Sequence, residues 1–127
     1  MKRFIALTVL ILLAAAPLVS SAPKPVVFRF TPTEDHANMR IREVFLAGTF
    51  NGWNPGPEDR VNEESGEKEP AHRMRRVGSN YIITLRLAPG EYPYKFVINS
   101  SEWITDETAE KFVEDGFGGK NSVKVVK

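Results

Sequence analysis

Between Tyr81 and Ile98 the sequence alternates with a period of two on both sides of a turn, and a chain that does this twice running is committed to sheet. Tyr81, Ile83, Leu85 and Leu87 face one way, while Ile82, Thr84 and Arg86 face the other. After Ala88-Pro89-Gly90-Glu91 the pattern resumes, with Tyr92, Tyr94, Phe96 and Ile98 opposed to Pro93, Lys95 and Val97. Side chains alternate across a strand, so each run offers one apolar face to a core. The turn has proline second and glycine third, as a type II turn prefers.

Further short apolar runs lie on either side. Val26 to Phe30 reads as a strand with Val26, Phe28 and Phe30 on one side, preceded by a stiff Pro23-Lys24-Pro25 linker. Val44 to Phe50 reads as another, ending at Asn51-Gly52, a dipeptide that tolerates positive φ and marks a sharp, exposed surface turn. His72 to Val77 has the look of an edge strand, Asn99 to Glu102 of a second turn, and Ser122 to Val126 of a closing strand. Residues 31–42 read as loop, and the polar stretch 105–111 has room for one irregular helical turn. Residues 55–70 are acidic, carry one aliphatic residue (Val61) and have no periodicity, which predicts an exposed, mobile insertion. About seven strands with no amphipathic helix predict an all-β fold, an immunoglobulin-like antiparallel β-sandwich whose sheets lie about 10 Å apart.

The first 22 residues stand apart. Met1-Lys2-Arg3 is basic, Phe4 to Ala16 is apolar apart from Thr8, and Pro17 leads to the small residues Ser20-Ser21-Ala22. This is the layout of a secretory signal peptide, cut after Ser21 or Ala22 and leaving residues 23–127 as one secreted or periplasmic domain. An uncleaved anchor is the weaker reading, because a bilayer span needs roughly 20 apolar residues. With no cysteine there is no lipoprotein anchor, disulfide framework or thiol chemistry. The 17 Lys and Arg, less Lys2 and Arg3, leave 15 basic against 16 acidic residues. A near-neutral domain lacks the basic stripe that nucleic acid or anionic lipid requires, so a polymeric partner should itself be neutral.

Candidates for catalysis are few. His36 and His72 have no metal-ligand spacing, and Gly116-Phe117-Gly118-Gly119 lacks the strand-to-helix setting of a phosphate loop. Two carboxylates held rigidly across a cleft, as glycoside hydrolysis requires, are not expected in so small a sandwich. No enzyme activity, metal or cofactor is expected. The distinctive residues are two tryptophans, Trp53 and Trp103, each placed just after a turn, with Lys95 on the strand between them. A tryptophan in that position either caps the edge of a core or offers a flat ring to a ligand. Sugars present an apolar C–H face and a rim of hydroxyls. Stacked indoles, the Lys95 ammonium and the Asn121 amide would suit such a ligand.

Three blocks carry a resemblance. Phe45-Leu46-Ala47-Gly48-Thr49-Phe50-Asn51-Gly52-Trp53, then Leu87-Ala88-Pro89-Gly90-Glu91-Tyr92-Pro93-Tyr94-Lys95-Phe96-Val97, then Trp103 with Asp115-Gly116-Phe117-Gly118-Gly119-Lys120-Asn121-Ser122 occur in that order. Over residues 26–126 the chain resembles the family-48 carbohydrate-binding modules. These are the glycogen- and starch-binding domains of the AMP-activated protein kinase β subunit, of isoamylases and of glycogen-branching enzymes. The resemblance implies an early-set immunoglobulin-like sandwich that binds α-1,4-linked glucans without catalysis. It also implies a site of Trp53, Lys95, Trp103, Asn121 and, from the glycine-rich loop, Phe117. A separate glucan-processing enzyme is an expected partner. Asp106-Glu107 stands where the family has Asp-Pro, and Phe117 is aromatic where the kinase module is aliphatic, which leaves inward packing of Phe117 open. The alternative function is an immunoglobulin-like protein-interaction domain without sugar binding.

Overall fold

A computed structural model describes residues 21–127. The predicted signal peptide therefore lies, but for Ser21 and Ala22, outside the described residues. Among these the chain forms eleven strands: β1 (Lys24–Phe30), β2 (Val44–Gly48), β3 (Arg60–Val61), β4 (Lys68–Glu69), β5 (His72–Arg73), β6 (Arg75–Val77), β7 (Asn80–Leu87), β8 (Gly90–Ile98), β9 (Glu102–Ile104), β10 (Lys111–Glu114) and β11 (Lys120–Val126). One sheet has the order β1-β7-β6 and the other β10-β11-β8-β2-β5, with β9 also paired to β8. All these pairings are antiparallel. The two sheets make an immunoglobulin-like β-sandwich, as the alternating runs predict.

The alternation of β7 and β8 sets which side chains meet between the sheets. Tyr81 and Leu87 from one sheet join Tyr94, Phe96 and Ile98 from the other, with Phe28, Phe30, Val44 and Leu46. The turn at Ala88-Pro89 does not close a hairpin. It carries the chain from the three-stranded sheet to the six-stranded one. Burying these large apolar side chains contributes roughly 1.5–3 kcal/mol each, and the aromatic rings of Phe28 and Tyr94 meet edge to face at 5.0 Å.

Four expectations are corrected. Lys24 and Pro25 belong to β1, paired with Leu87 and Arg86, and are not a free linker. Proline is tolerated there because β1 is an edge strand. The His72–Val77 run is two strands, not one. It changes sheet at Met74, whose side chain is buried and whose N–H donates to the Val44 carbonyl at 2.8 Å. Residues 106–110 contain turns but no helix. The acidic stretch 55–70 folds into the β3–β4 hairpin. Polar contacts hold it: the Asn62 side chain accepts from the N–H groups of Glu64 and Ser65, and Asn54 donates to the carbonyls of Glu58 and Glu69. An Asx-type turn replaces hydrophobic alternation as the organising force.

A small second core lies on the outer face of the larger sheet. Phe45, Ala47 and Val97 are buried there, covered by Trp53 and Ala71. This patch is the floor on which the candidate site is built.

Candidate ligand groove

Beyond β2 the chain makes one 3-10 turn (Thr49–Asn51) and then reverses through Gly52 and Trp53, both with positive φ, 61° and 58°. Asn51 is not the exposed turn tip that Asn-Gly suggests. It is 2% exposed and acts as a buried knot. Its amide oxygen accepts from the Gly48 N–H at 3.0 Å, and its amide nitrogen donates to the carbonyls of Leu46 and Pro70 at 3.0 and 3.1 Å. Gly52 takes its positive φ without strain, and a β-carbon there would fall 2.1 Å from the Glu69 carboxylate, so a larger residue would have to push that side chain aside. The Trp53 N–H donates to the Gly48 carbonyl, and the half-buried indole rests on Phe45, Ala47 and Val97. Trp53 thus caps a core edge and lines a groove at once. These roles were alternatives in the sequence.

Pairing with β8 places the rest. Lys95 lies opposite Ala47 of β2, on the outer face. Trp103 of β9 lies opposite Val97, and the residue is 45% exposed. Asn121 on β11 precedes the buried Ser122, which pairs with Tyr94, so alternation turns Asn121 outward. After Trp103 the chain is fastened by Asp106, whose carboxylate accepts from the Tyr94 hydroxyl at 2.5 Å. The Asp106 N–H donates to the Ser122 hydroxyl, which donates back to the Asp106 carbonyl. Burial and this bond to Asp106 raise the Tyr94 phenol well above its ordinary range. The course of the chain after Trp103 thus depends on this carboxylate and needs no proline.

The loop between β10 and β11 completes the site. Phe117 at its tip is 93% exposed, which rules out inward packing. The loop is organised by Asp115: Oδ1 accepts from the N–H groups of Phe117 and Gly119 at 2.7 and 3.0 Å. Oδ2 accepts from the Lys95 ammonium at 2.7 Å. These side chains are only 8% and 16% exposed. The Lys95 bond, then the backbone donors, hold the Asp115 carboxyl down at about 2, from the ordinary 3.8.

Trp53, Lys95, Trp103, Asp115, Phe117 and Asn121 line one groove of about 540 Å³. All five residues named from the sequence come together there; Asp115 is the one that sequence reasoning missed. Its signal was present in Asp115-Gly116-Phe117-Gly118-Gly119, since an aspartate opening a glycine-rich loop is placed to accept from the amides that follow. Among the described residues, neither indole N–H nor the Asn121 amide has a hydrogen-bond partner. The groove offers three ring surfaces, unused donors and one ion pair. It is suited to a flat, hydroxylated, uncharged ligand.

No protein-family model matches the chain. Similarity to curated proteins is clear. The chain is 29% identical over 108 residues to 5'-AMP-activated protein kinase subunit beta-1 of Sus scrofa, covering 85% of this chain and 68% of that one. It is 29% identical over 104 residues to the subunit of Rattus norvegicus, and 30% to that of Bos taurus. In both cases the match covers 82% of this chain but 29% of the relative, so the chain spans less than a third of those proteins. The chain is thus similar to the kinase β-1 subunits, in agreement with the family resemblance that its motifs carry.

Proposed function

We propose that this domain is a non-catalytic module that binds α-1,4-linked glucans, such as glycogen, starch or maltodextrin, in the groove between Trp53 and Phe117. The observation that carries the reading is the convergence of two indoles, a phenylalanine, a lysine and an asparagine on one groove. Each indole would cover about 100 Å² of apolar sugar surface, worth on the order of 2–3 kcal/mol. Association costs several kcal/mol, so a few stacks and hydrogen bonds leave binding at roughly micromolar to millimolar. Weak binding suits a polymer with many repeats, where a module need only keep its bearer near the chain. The N-terminal 22 residues support export, so the domain would act on glucan outside the cytoplasm, tethering it for a separate glucan-processing enzyme. Protein recovered from the periplasm or medium would then have the mass of a chain beginning at Ala22 or Pro23.

Native electrophoresis in a gel containing glycogen tests the reading. The domain should be retarded, and Trp53→Ala should remove the retardation. A folded domain that runs freely would overturn glucan binding and leave a protein-interaction domain. Release of reducing sugar from starch would overturn its non-catalytic character.

A further inference from the structure

The groove contains a carboxylate that stacking does not require, and its bonding leaves one acceptor position open. An ionised carboxylate has about four acceptor positions. Asp115 Oδ1 uses both of its own on the N–H groups of Phe117 and Gly119. Oδ2 uses one on Lys95 Nζ, and the residue lines the groove. The Lys95 ammonium has three donors and gives one to Asp115, which leaves two. An acceptor and a donor therefore sit 2.7 Å apart at the wall of the groove.

We infer that Asp115 and Lys95 act together as a reader of vicinal hydroxyls, with Asp115 Oδ2 accepting from one hydroxyl of a glucose unit and Lys95 Nζ donating to its neighbour. The inference rests on the glucan reading and deepens it by assigning Asp115 a direct contact. Neighbouring hydroxyl oxygens on a pyranose ring are about one hydrogen-bond length apart, which matches the spacing of the pair. Because the two charges are already paired, neither enters the complex as an isolated buried ion. The backbone bonds to Oδ1 fix the carboxylate before the sugar arrives, so little ordering is needed on binding. Stacking alone accepts any flat ring with an apolar face. A paired acceptor and donor at one spacing favours sugars whose adjacent hydroxyls are free.

The test is a cycle of protein and ligand changes, read by calorimetric affinity. Linear maltooligosaccharide is compared with versions in which the 2-hydroxyls or the 3-hydroxyls are replaced by hydrogen. Asp115→Asn keeps an oxygen for the loop amides but puts an amide donor where Oδ2 accepted. Lys95→Met removes the donor and leaves the loop bonds. In the unmodified domain, deleting the hydroxyl read by Asp115 should weaken binding about tenfold, the scale of one charge-assisted hydrogen bond. In Asp115→Asn the same deletion should cost no more than about twofold, because contacting groups are not additive. Lys95→Met should abolish the effect of deleting the neighbouring hydroxyl. Fully additive effects would overturn the inference and make Asp115 a positioning residue for Phe117 only. If Asp115→Asn binds as tightly as the unmodified domain while Trp53→Ala does not bind, the inference fails and the glucan reading survives. If Trp53→Ala binds normally, the groove itself is misassigned and the inference falls with it. Circular dichroism is the check that all three variants are folded.

Discussion

The two ends of the groove are built by opposite means. At one end Trp53 rests on Phe45, Ala47 and Val97, and its turn is tied by the uncharged amides of Asn51 and Asn54, both fully buried. At the other end Phe117 stands on a loop of glycines with nothing packed around Gly116 or Gly118, held by the one carboxylate of Asp115. The first end is part of the folded core, so its geometry is as firm as the sandwich itself. The second is a latch on the surface. Its geometry is set by polar contacts that can be lost without disturbing the sheets. A groove made this way has one fixed wall and one adjustable wall, and the two should respond differently to substitution and to acid.

The largest expected difference is in stability. Asn51→Ala removes three hydrogen bonds and leaves the Gly48 N–H and the Leu46 carbonyl without that partner in a buried setting, and the Pro70 carbonyl in a half-buried one. At about 1–3 kcal/mol for each stranded group, the loss is on the order of 3 kcal/mol or more. For a domain of this size that lowers Tm by over about 12 °C in thermal unfolding. A fall of only a few degrees would mean that the tryptophan end is not tied to the core as described.

Phe117→Ala probes the other end and should divide the two properties. The side chain is exposed and packs against nothing, so Tm should change by no more than about 0.5 kcal/mol would allow. Affinity for maltooligosaccharide should fall about tenfold, as expected when one ring surface of this area is removed. A variant that is destabilised instead would show that the latch is part of the core, and the contrast between the ends would collapse.

The same contrast explains what could be read from the sequence. The strands were legible because Tyr81–Leu87 and Tyr92–Ile98 alternate strictly, and burial of one face turns that period into a fold. The site residues were legible as a set only through the resemblance, since nothing local says that Trp53 and Trp103 share a face. That follows from the pairing of Trp103 with Val97 and the seating of Trp53 on the small outer cluster to which Val97 belongs. Asn51 was misread because Asn-Gly signals a tip through local backbone preference. Its deciding partner, the Pro70 carbonyl, is nineteen residues away. The β3–β4 hairpin was missed for a related reason: its one aliphatic residue, Val61, is exposed, so there was no apolar periodicity to find. Polar side chains that bond across the chain leave no periodic trace, and both walls of the groove depend on them.

Acid should separate the walls by the smallest but most specific effect. The Asp115 carboxyl is held at about 2, below its ordinary 3.8, first by the Lys95 bond and then by the backbone donors. A depressed carboxyl contributes its stabilisation in full above the unfolded value, and loses it as pH falls through the folded one. Between pH 8 and 5 the latch is therefore constant, and affinity should not change on its account. As pH falls through about 2 the folded carboxylate takes up a proton, Lys95 loses its partner and the loop loses its strongest acceptor. The amides of Asn51 and Asn54 do not titrate in this range, so the tryptophan end should persist. Oligosaccharide binding, followed by tryptophan fluorescence, should thus weaken at a higher pH than the one at which circular dichroism reports loss of sheet. In Asp115→Asn, which has no proton to gain at that position, the gap between the two transitions should close. Coincident transitions in the unmodified domain would mean that both ends open together, and that the latch is no separate unit.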